Sequence, residues 1–288
     1  MPKNRCYLRS EELSIAPLDE NTMDISEEDC FLILKRNHNL LTIKNTLENI
    51  LNRRTKGKMF NIVSGTWNPV SGCLYNCNYC WARNLATTKL QNSHRYVKGF
   101  RPNLNETEFR SRFGKGDLVF VSDMGDLFGS FIPSEWIMRV LNQVSKFPDA
   151  DFLFMTKNPQ RYHEFLPSMP KNTILGATIE TNIDEIIQTD KISTAPLPTE
   201  RYSSMKDLDW DRKMVSIEPI LDFEPRTFSQ WIEDIYPFLV YVGYDNYNHK
   251  LREPNLKDTL NLIRMISKDM LVIKKTIRPA WFENIQGY

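Results

Sequence analysis

Along this 288-residue chain, short runs of apolar, β-favouring residues recur at near-regular intervals from residue 61 onward. They occupy 61–65, 117–122, 151–156, 173–179, 213–217, 239–243 and 271–274. That gives seven candidate strands of a length usual in globular proteins. Between them lie stretches with apolar residues at helical spacing: 81–91, 133–146, 159–166, 227–235 and 256–268. Pro133 opens one of these where its missing N–H costs nothing, and Asn255 stands before another as a capping residue. The segment 182–211 is longer and mixed, with only a weak helical pattern.

Strands alternating with helices predict a parallel sheet built from βα units. Runs such as Leu118-Val119-Phe120-Val121, apolar at every position, suit strands covered on both faces. An open or closed (β/α) barrel is favoured over a doubly wound sheet. Residues 1–58 read differently, with an acidic stretch (11–29), a short apolar run (31–34), a helical pattern (41–51) and a basic knot, Arg53-Arg54-Thr55-Lys56-Gly57-Lys58. We read 1–58 as a small N-terminal extension and 59–288 as the α/β domain.

Composition changes this picture little: 41% hydrophobic and 25% charged residues describe an ordinary globular chain. A formal net charge of +1 gives no global field for a polyanion, so any nucleic-acid binding must come from a local patch. No run approaches the roughly 20 apolar residues of a membrane span, and the mixed, charged residues 1–14 do not read as a signal peptide. Five cysteines, three of them clustered, suggest a metal site in a reducing, cytoplasmic setting rather than a disulfide framework. Cys6 and Cys30 stand apart and read as small buried hydrophobes.

The clustered three lie in Gly72-Cys73-Leu74-Tyr75-Asn76-Cys77-Asn78-Tyr79-Cys80-Trp81. Such spacing lets three thiols face one small volume. Iron–sulfur clusters are held by Cys thiolates, commonly four; three with no close fourth suit a cubane with one iron left for a ligand that is not protein. A zinc-stabilised binding module, closed by a fourth ligand such as His94, is the alternative. Barrel enzymes keep reactive groups at the C-terminal ends of strands. Those positions here carry Ser122, Asp123 and Asp126, then Lys157, Thr178, Glu180, Ser216, Glu218, Asp245 and Lys274. Asp, Asn, Ser and Thr also serve as turn and cap residues. Glu180 and Glu218 fit that account less well, although a solvated or salt-bridged role stays open for each.

From His94 to Lys115, the cations Arg95, Lys98, Arg101, Arg110, Arg112 and Lys115 interleave with Tyr96, Phe100, Phe109 and Phe113. Cations for phosphates and aromatics for bases make a single-strand or flipped-base surface. A solvated face with its aromatics turned into the core accounts for the same pattern.

The spacing Cys73-x3-Cys77-x-Tyr79-Cys80 resembles the signature of the radical S-adenosylmethionine (SAM) superfamily. The flanks, Thr66-Trp67-Asn68-Pro69-Val70-Ser71-Gly72 and Trp81-Ala82, are similar to a phage-protein-like branch of it, as are 121–128, 153–157 and 215–221. The resemblance spans roughly residues 60–275. It implies a partial (β/α)6-type TIM barrel with a [4Fe-4S] cluster on Cys73, Cys77 and Cys80, and with SAM chelated at the unique iron. Reductive cleavage of SAM would give methionine and a 5′-deoxyadenosyl radical that takes hydrogen from a substrate. A flavodoxin- or ferredoxin-like electron donor is implied as partner. By position, Ser122, Asp123 and Asp126 would hold the SAM amino group, Thr178 and Glu180 the ribose, and Tyr79 would pack near the adenine. Ser216 and Glu218 would serve the methionine carboxylate side or the substrate. Lys157, Asp245 and Lys274 become candidate catalytic residues on the substrate side.

A nucleotide or nucleic acid bound through 94–115 is the substrate class to test. Two departures stand where a substrate would sit: Gly243-Tyr244-Asp245-Asn246 replaces a Gly-Gly-Glu-Ser-like strand end, and Lys274-Lys275-Thr276 a Lys-Gln-Trp-Gly-like element. A SAM-binding fold recruited as a non-catalytic partner-binding protein is a further alternative.

Overall fold

The computed structural model describes residues 59–283. The extension 1–58, with Cys6, Cys30 and the helical pattern at 41–51, lies outside the described residues. Within them the chain divides into two compact units, one of 59–179 and 183–208, the other of 180–182 and 209–283.

The first unit contains β1 (Gly65–Trp67), β2 (Val70–Ser71), β3 (Asn103–Leu104), β4 (Leu118–Val121), β5 (Asp151–Thr156) and β6 (Thr173–Thr178). Its main strands run parallel in the order β1-β4-β5-β6, with Thr66 beside Phe120, Phe120 beside Leu153 and Leu153 beside Ile174. β2 and β3 form a separate antiparallel pair. The helices are α1 (Trp81–Thr87), α2 (Ser134–Val144), α3 (Gln160–Phe165), α4 (Asp184–Thr189) and α5 (Pro198–Lys206). On α2, Ile137, Val140, Leu141 and Val144 are buried, the i, i+3, i+4 stripe of a helix laid on a sheet. Ring edges build much of the core. Trp67 meets Phe109, Phe113 and Phe152, and Phe128 meets Phe154, Tyr162 and Phe165. Burying such rings removes about 150–250 Å² of surface each.

The second unit holds β7 (Lys213–Ile217), β8 (Leu239–Val242) and β9 (Leu271–Lys274), parallel in that order. Its helices α6 (Pro225–Ile235) and α7 (Leu256–Ile266) pack on each other. Asn255 caps α7 as its sequence predicts, its side-chain oxygen accepting the Asp258 N–H at 2.9 Å.

The architecture is mostly parallel α/β, as the alternation of elements predicts, and neither set of strands closes on itself into a barrel. Two details differ. The first strand is 65–67 rather than 61–65, because Phe60, Ile62 and Val63 bury their side chains from a turn closed by Val63 N–H on the Phe60 carbonyl (3.3 Å). Segment 182–211 forms two helices, α4 and α5, with Pro196 between them and Pro198 in the first turn of the second. No helix among the described residues is long and apolar enough to cross a membrane.

Candidate functional site

The cysteine loop follows β2 and is fastened to its neighbours by backbone. Gly72 has φ 88, and a Cβ there would stand 2.2 Å from the Arg101 carbonyl oxygen, so only glycine fits. Gly72 N–H donates to the Met124 carbonyl (2.8 Å), and Gly72 bridges Gly125, where a Cβ would lie 2.9 Å from the Gly72 oxygen. Cys73 N–H reaches the Phe100 carbonyl (3.0 Å). On another side, Asn78 N–H donates to the Ile192 carbonyl (2.9 Å), and Thr194 donates to the Tyr75 carbonyl from its N–H (2.7 Å) and its hydroxyl (3.1 Å).

The sulfurs themselves receive hydrogen bonds. Tyr75 N–H points at Cys73 Sγ (3.5 Å), and Arg83 N–H points at Cys80 Sγ (3.3 Å), so Cys80 caps α1. Tyr75, Cys77 and Ala195 form a small apolar cluster on which Cys73, Tyr79, Cys80 and Phe131 pack, gathering all three free thiols in one region. Among the described residues no three His, Cys, Asp or Glu side chains converge closely enough for a single ion, and His94 is exposed. A cubane puts each thiolate on a separate iron and needs no such convergence. Burial pushes the Cys73 thiol up, and the nearby Asp126 carboxylate adds to the effect. A charged thiolate is disfavoured at this place. Three thiols, N–H donors on two sulfurs and an apolar wall fit an iron–sulfur cluster.

The loop after β4 carries an unusual serine. Ser122 has φ 57, a left-handed conformation that costs a non-glycine residue about 1–3 kcal/mol, and its buried hydroxyl has no hydrogen-bond partner among the described residues. Its N–H is held by the Trp67 carbonyl (2.7 Å). Asp123, next along, is half-buried; Asn68 donates to its Oδ1 (2.6 Å) and in turn accepts the Met124 N–H (3.0 Å). Burial pushes the Asp123 carboxyl up, with Asn68 and backbone N–H groups pulling it back. Asp126 is buried and accepts from the Thr156 hydroxyl (2.6 Å), the Phe128 N–H (3.1 Å) and the Lys157 N–H (2.9 Å). Burial still leaves its carboxyl above the usual range. Lys157 Nζ donates to the Tyr79 hydroxyl (2.6 Å) and lies 5.2 Å from that ring's centroid. Thr178 ends β6, where its carbonyl accepts from Arg201 (2.9 Å).

In the second unit, Glu218 follows β7. Its Oε2 accepts from Lys275 Nζ (2.6 Å) and its Oε1 from Asn246 (3.5 Å). Burial pushes the Glu218 carboxyl up, and Lys275 opposes the shift. Ser216 is buried within β7, and Glu180 is fully buried, its carbonyl accepting the Leu221 N–H (2.9 Å). Asp245 closes the loop after β8 by accepting from the Tyr247 N–H (3.2 Å), the His249 N–H (2.6 Å) and the His249 ring (2.8 Å).

Residues 59–224, more than half of the chain, match the family described as "Protein of unknown function (DUF5131)". The chain belongs to DUF5131. The match covers the whole cysteine-bearing unit and ends at Glu224, so Asp245, Lys274 and Lys275 of this DUF5131 chain lie beyond it. No curated protein matches it in sequence. Solved structures of similar fold include a spore photoproduct lyase variant with bound AdoMet and dinucleoside spore photoproduct (11% identity, TM-score 0.48, 72% of this chain and 62% of that one). A radical SAM methyltransferase from Sphaerobacter thermophilus gives 11%, 0.48, 73% and 66%. Streptococcus suis SuiB bound to precursor peptide SuiA gives 11%, 0.46, 88% and 66%. This DUF5131 chain thus spans 62–66% of the length of those proteins. At such scores the likeness bears on neither chemistry nor substrate.

Of the residues read from sequence, the first unit brings together Cys73, Cys77, Cys80, Tyr79, Asp126 and Lys157, with Ser122 and Asp123 on the loop bridged to Gly72. The lysine that reaches Glu218 is Lys275, while Lys274 is exposed at the end of β9. Lys275 escapes notice in sequence because β9 is otherwise buried at every position, leaving no alternation to tell one lysine from the other. Nothing in the sequence pattern marks Arg83 or Thr194 as a support of the cysteine loop, or Asn68 as the partner of Asp123.

The stretch 94–115 divides in two. Tyr96 and Phe100 are core residues, and Phe109 and Phe113 pack on Trp67, so these aromatics are not free stacking platforms. Its two acids, Glu106 and Glu108, pair with Arg139 and Arg95. Lys98, Arg101, Arg110, Arg112 and Lys115 remain exposed, with no ion pair among the described residues.

Proposed function

We propose that this chain is a radical SAM enzyme, with 59–288 as its partial (β/α)6-type barrel and 1–58 as an extension. The observation that carries the reading is the three-thiol loop bridged, through Gly72 and Gly125, to a strand-end loop whose strained Ser122 keeps a buried hydroxyl unpartnered. Backbone strain and an orphan hydroxyl cluster where a protein awaits a ligand. Cys73, Cys77 and Cys80 would hold a [4Fe-4S] cluster. When bound, that group supplies the electron that cleaves SAM, and the resulting 5′-deoxyadenosyl radical removes hydrogen from the substrate.

The remaining work falls to this chain's own side chains. Ser122 and Asp123 accept from the SAM ammonium, and Asp126 holds their loop in shape through Thr156, Phe128 and Lys157. Tyr79 would pack near the adenine, its hydroxyl accepting from Lys157. Thr178 and Glu180 serve the ribose, and Ser216 and Glu218 the methionine carboxylate side or the substrate. Lys157, Asp245 and Lys274 stay on the substrate side, Asp245 by fixing the 245–249 loop. A flavodoxin- or ferredoxin-like donor supplies the electron in a cytoplasmic setting.

Oxygen-free reconstitution with iron and sulfide should give a brown protein that releases 5′-deoxyadenosine from SAM on reduction. Cys77→Ala should lose bound iron and SAM cleavage together; cleavage retained by that variant would overturn the ligand assignment.

The exposed cations of 98–115 favour a nucleic-acid substrate or partner, held through phosphates rather than stacked bases. Replacing Arg110 and Arg112 with Gln should weaken binding of a single-stranded oligonucleotide. The slope of log K against log salt should also flatten by about 0.7 for each phosphate no longer neutralised. Binding that ignores salt, or none by the parent protein, would remove nucleic acid from the reading. A non-catalytic, cluster-bearing binding protein would bind the oligonucleotide yet yield no 5′-deoxyadenosine.

A further inference from the structure

Arg83 belongs to none of these ligand sets, yet it grips the cysteine loop at three points. Its backbone N–H donates to Cys80 Sγ at 3.3 Å. Its Nη2 donates to the Cys77 carbonyl at 2.8 Å, and its Nη1 to the side-chain oxygen of Asn76. Asn76 is itself left-handed, at φ 55, so the arc between the first two thiols turns sharply where Arg83 holds it.

Helix stability does not explain this residue. Arg83 is the third residue of α1, and a cation in a first turn sits at the positive end of the backbone dipoles, where it is disfavoured. No acidic residue in that turn offsets it. Its guanidinium instead folds back onto the loop that precedes the helix. On the opposite side, Ile192 and Thr194 hold Asn78 and Tyr75 through their backbones. The arc 75–78, which carries Cys77, is therefore clamped from two directions.

We propose that Arg83 is a positioning residue for the cluster: it fixes Cys77 relative to Cys80, and its charge raises the cluster's midpoint potential. The inference rests on the three-cysteine reading above. Its two effects separate chemically. The clamp needs a planar fork with two donors aimed at two acceptors, whereas the potential needs only a positive charge nearby. Lysine supplies the charge without the fork. Glutamine supplies neither. Reduction adds negative charge to a cluster, so a neighbouring cation favours the reduced form, and net charge and hydrogen bonding are known levers on such potentials.

The test uses the 288-residue chain, reconstituted without oxygen, as parent, R83Q and R83K. Iron affinity is read by competition with a chelator, and the midpoint potential by redox titration followed by electron paramagnetic resonance. R83Q should hold iron about 10- to 100-fold more weakly, the loss typical when an outer partner of a metal ligand is removed, and its potential should move negative. R83K should recover the potential but not the affinity. A merely structural arginine would leave the potential unmoved, so an unchanged potential in R83Q overturns the proposal, as does R83K restoring both quantities. Should R83Q fail to fold, Asn76→Ala removes one anchor of the clamp and keeps the charge. It should weaken iron retention at constant potential, and retention equal to the parent's sinks the clamp. A parent protein that takes up no iron removes the cluster reading and this inference with it, whereas a parent cluster indifferent to R83Q removes the inference alone.

Discussion

Asp126, buried, and Glu218, partly buried, are carboxylates at the ends of parallel strands, and burial pushes both carboxyls up, yet they are balanced by different means. The bonds to Asp126 come from neutral donors, two backbone N–H groups and the Thr156 hydroxyl, with the charge of Lys157 a smaller help. Glu218 leans on a cation, Lys275, at 2.6 Å. Backbone donors cannot leave their posts, so Asp126 is a fixed part of its loop. A lysine on a flexible stem can be drawn elsewhere, so the charge on Glu218 is open to adjustment by whatever binds beside it. Carboxylates that look alike in sequence thus divide into one locked by its own loop and one held by a movable cation.

The sharpest way to break this contrast is Lys275→Met. Removing one partner of a buried ion pair costs about 3–5 kcal/mol, and the partial exposure of this pair places the loss toward the low end. Lys275 opposes the upward shift of Glu218, so without it the folded carboxyl titrates still higher. The penalty should then be full at high pH and fade as pH falls through that raised value, where Glu218 takes up a proton. Urea midpoints measured across pH check this, and a loss of stability independent of pH would show that Lys275 acts by packing. Next in size comes Asp126→Asn, which turns an amide N–H toward the Lys157 N–H or the Thr156 hydroxyl. A buried donor left unpaired costs about 1–3 kcal/mol, readable as a lower urea midpoint.

Asp123→Asn should be mildest for the fold. It keeps an acceptor for Asn68 and should stay within about 0.5 kcal/mol of the parent, while weakening SAM binding by equilibrium dialysis. Equal stability losses at Asp123 and Asp126 would erase the division of labour between them.

Most strands were readable because a buried parallel strand has few ways to be written. Leu118–Val121 is apolar at all four positions and forms β4 with those bounds. β1 slipped because Ile62 and Val63 are as apolar as a strand but bury themselves from a turn, and sequence records the burial without the backbone path. The two-residue strands β2 and β3 are too short to leave a pattern, although they set Gly72 against Arg101. At the candidate site, the cysteines announce themselves by spacing. Their supports do not, because Arg83 to the Cys77 carbonyl and Thr194 to the Tyr75 carbonyl are side-chain bonds to main chain, which any residue could have accepted. The aromatics of 94–115 carried two meanings in sequence, and in the structure Phe109 and Phe113 are half-buried against Trp67.

The meeting of Gly72 with Gly125, backed by the Arg101 carbonyl, has an evolutionary corollary. Three separate stretches of chain interlock there without a single side chain, like the teeth of a key in its wards. A methyl group on either glycine would jam that lock, so the thiol-bearing loop and the carboxylate-bearing loop must be inherited, and redesigned, as one piece.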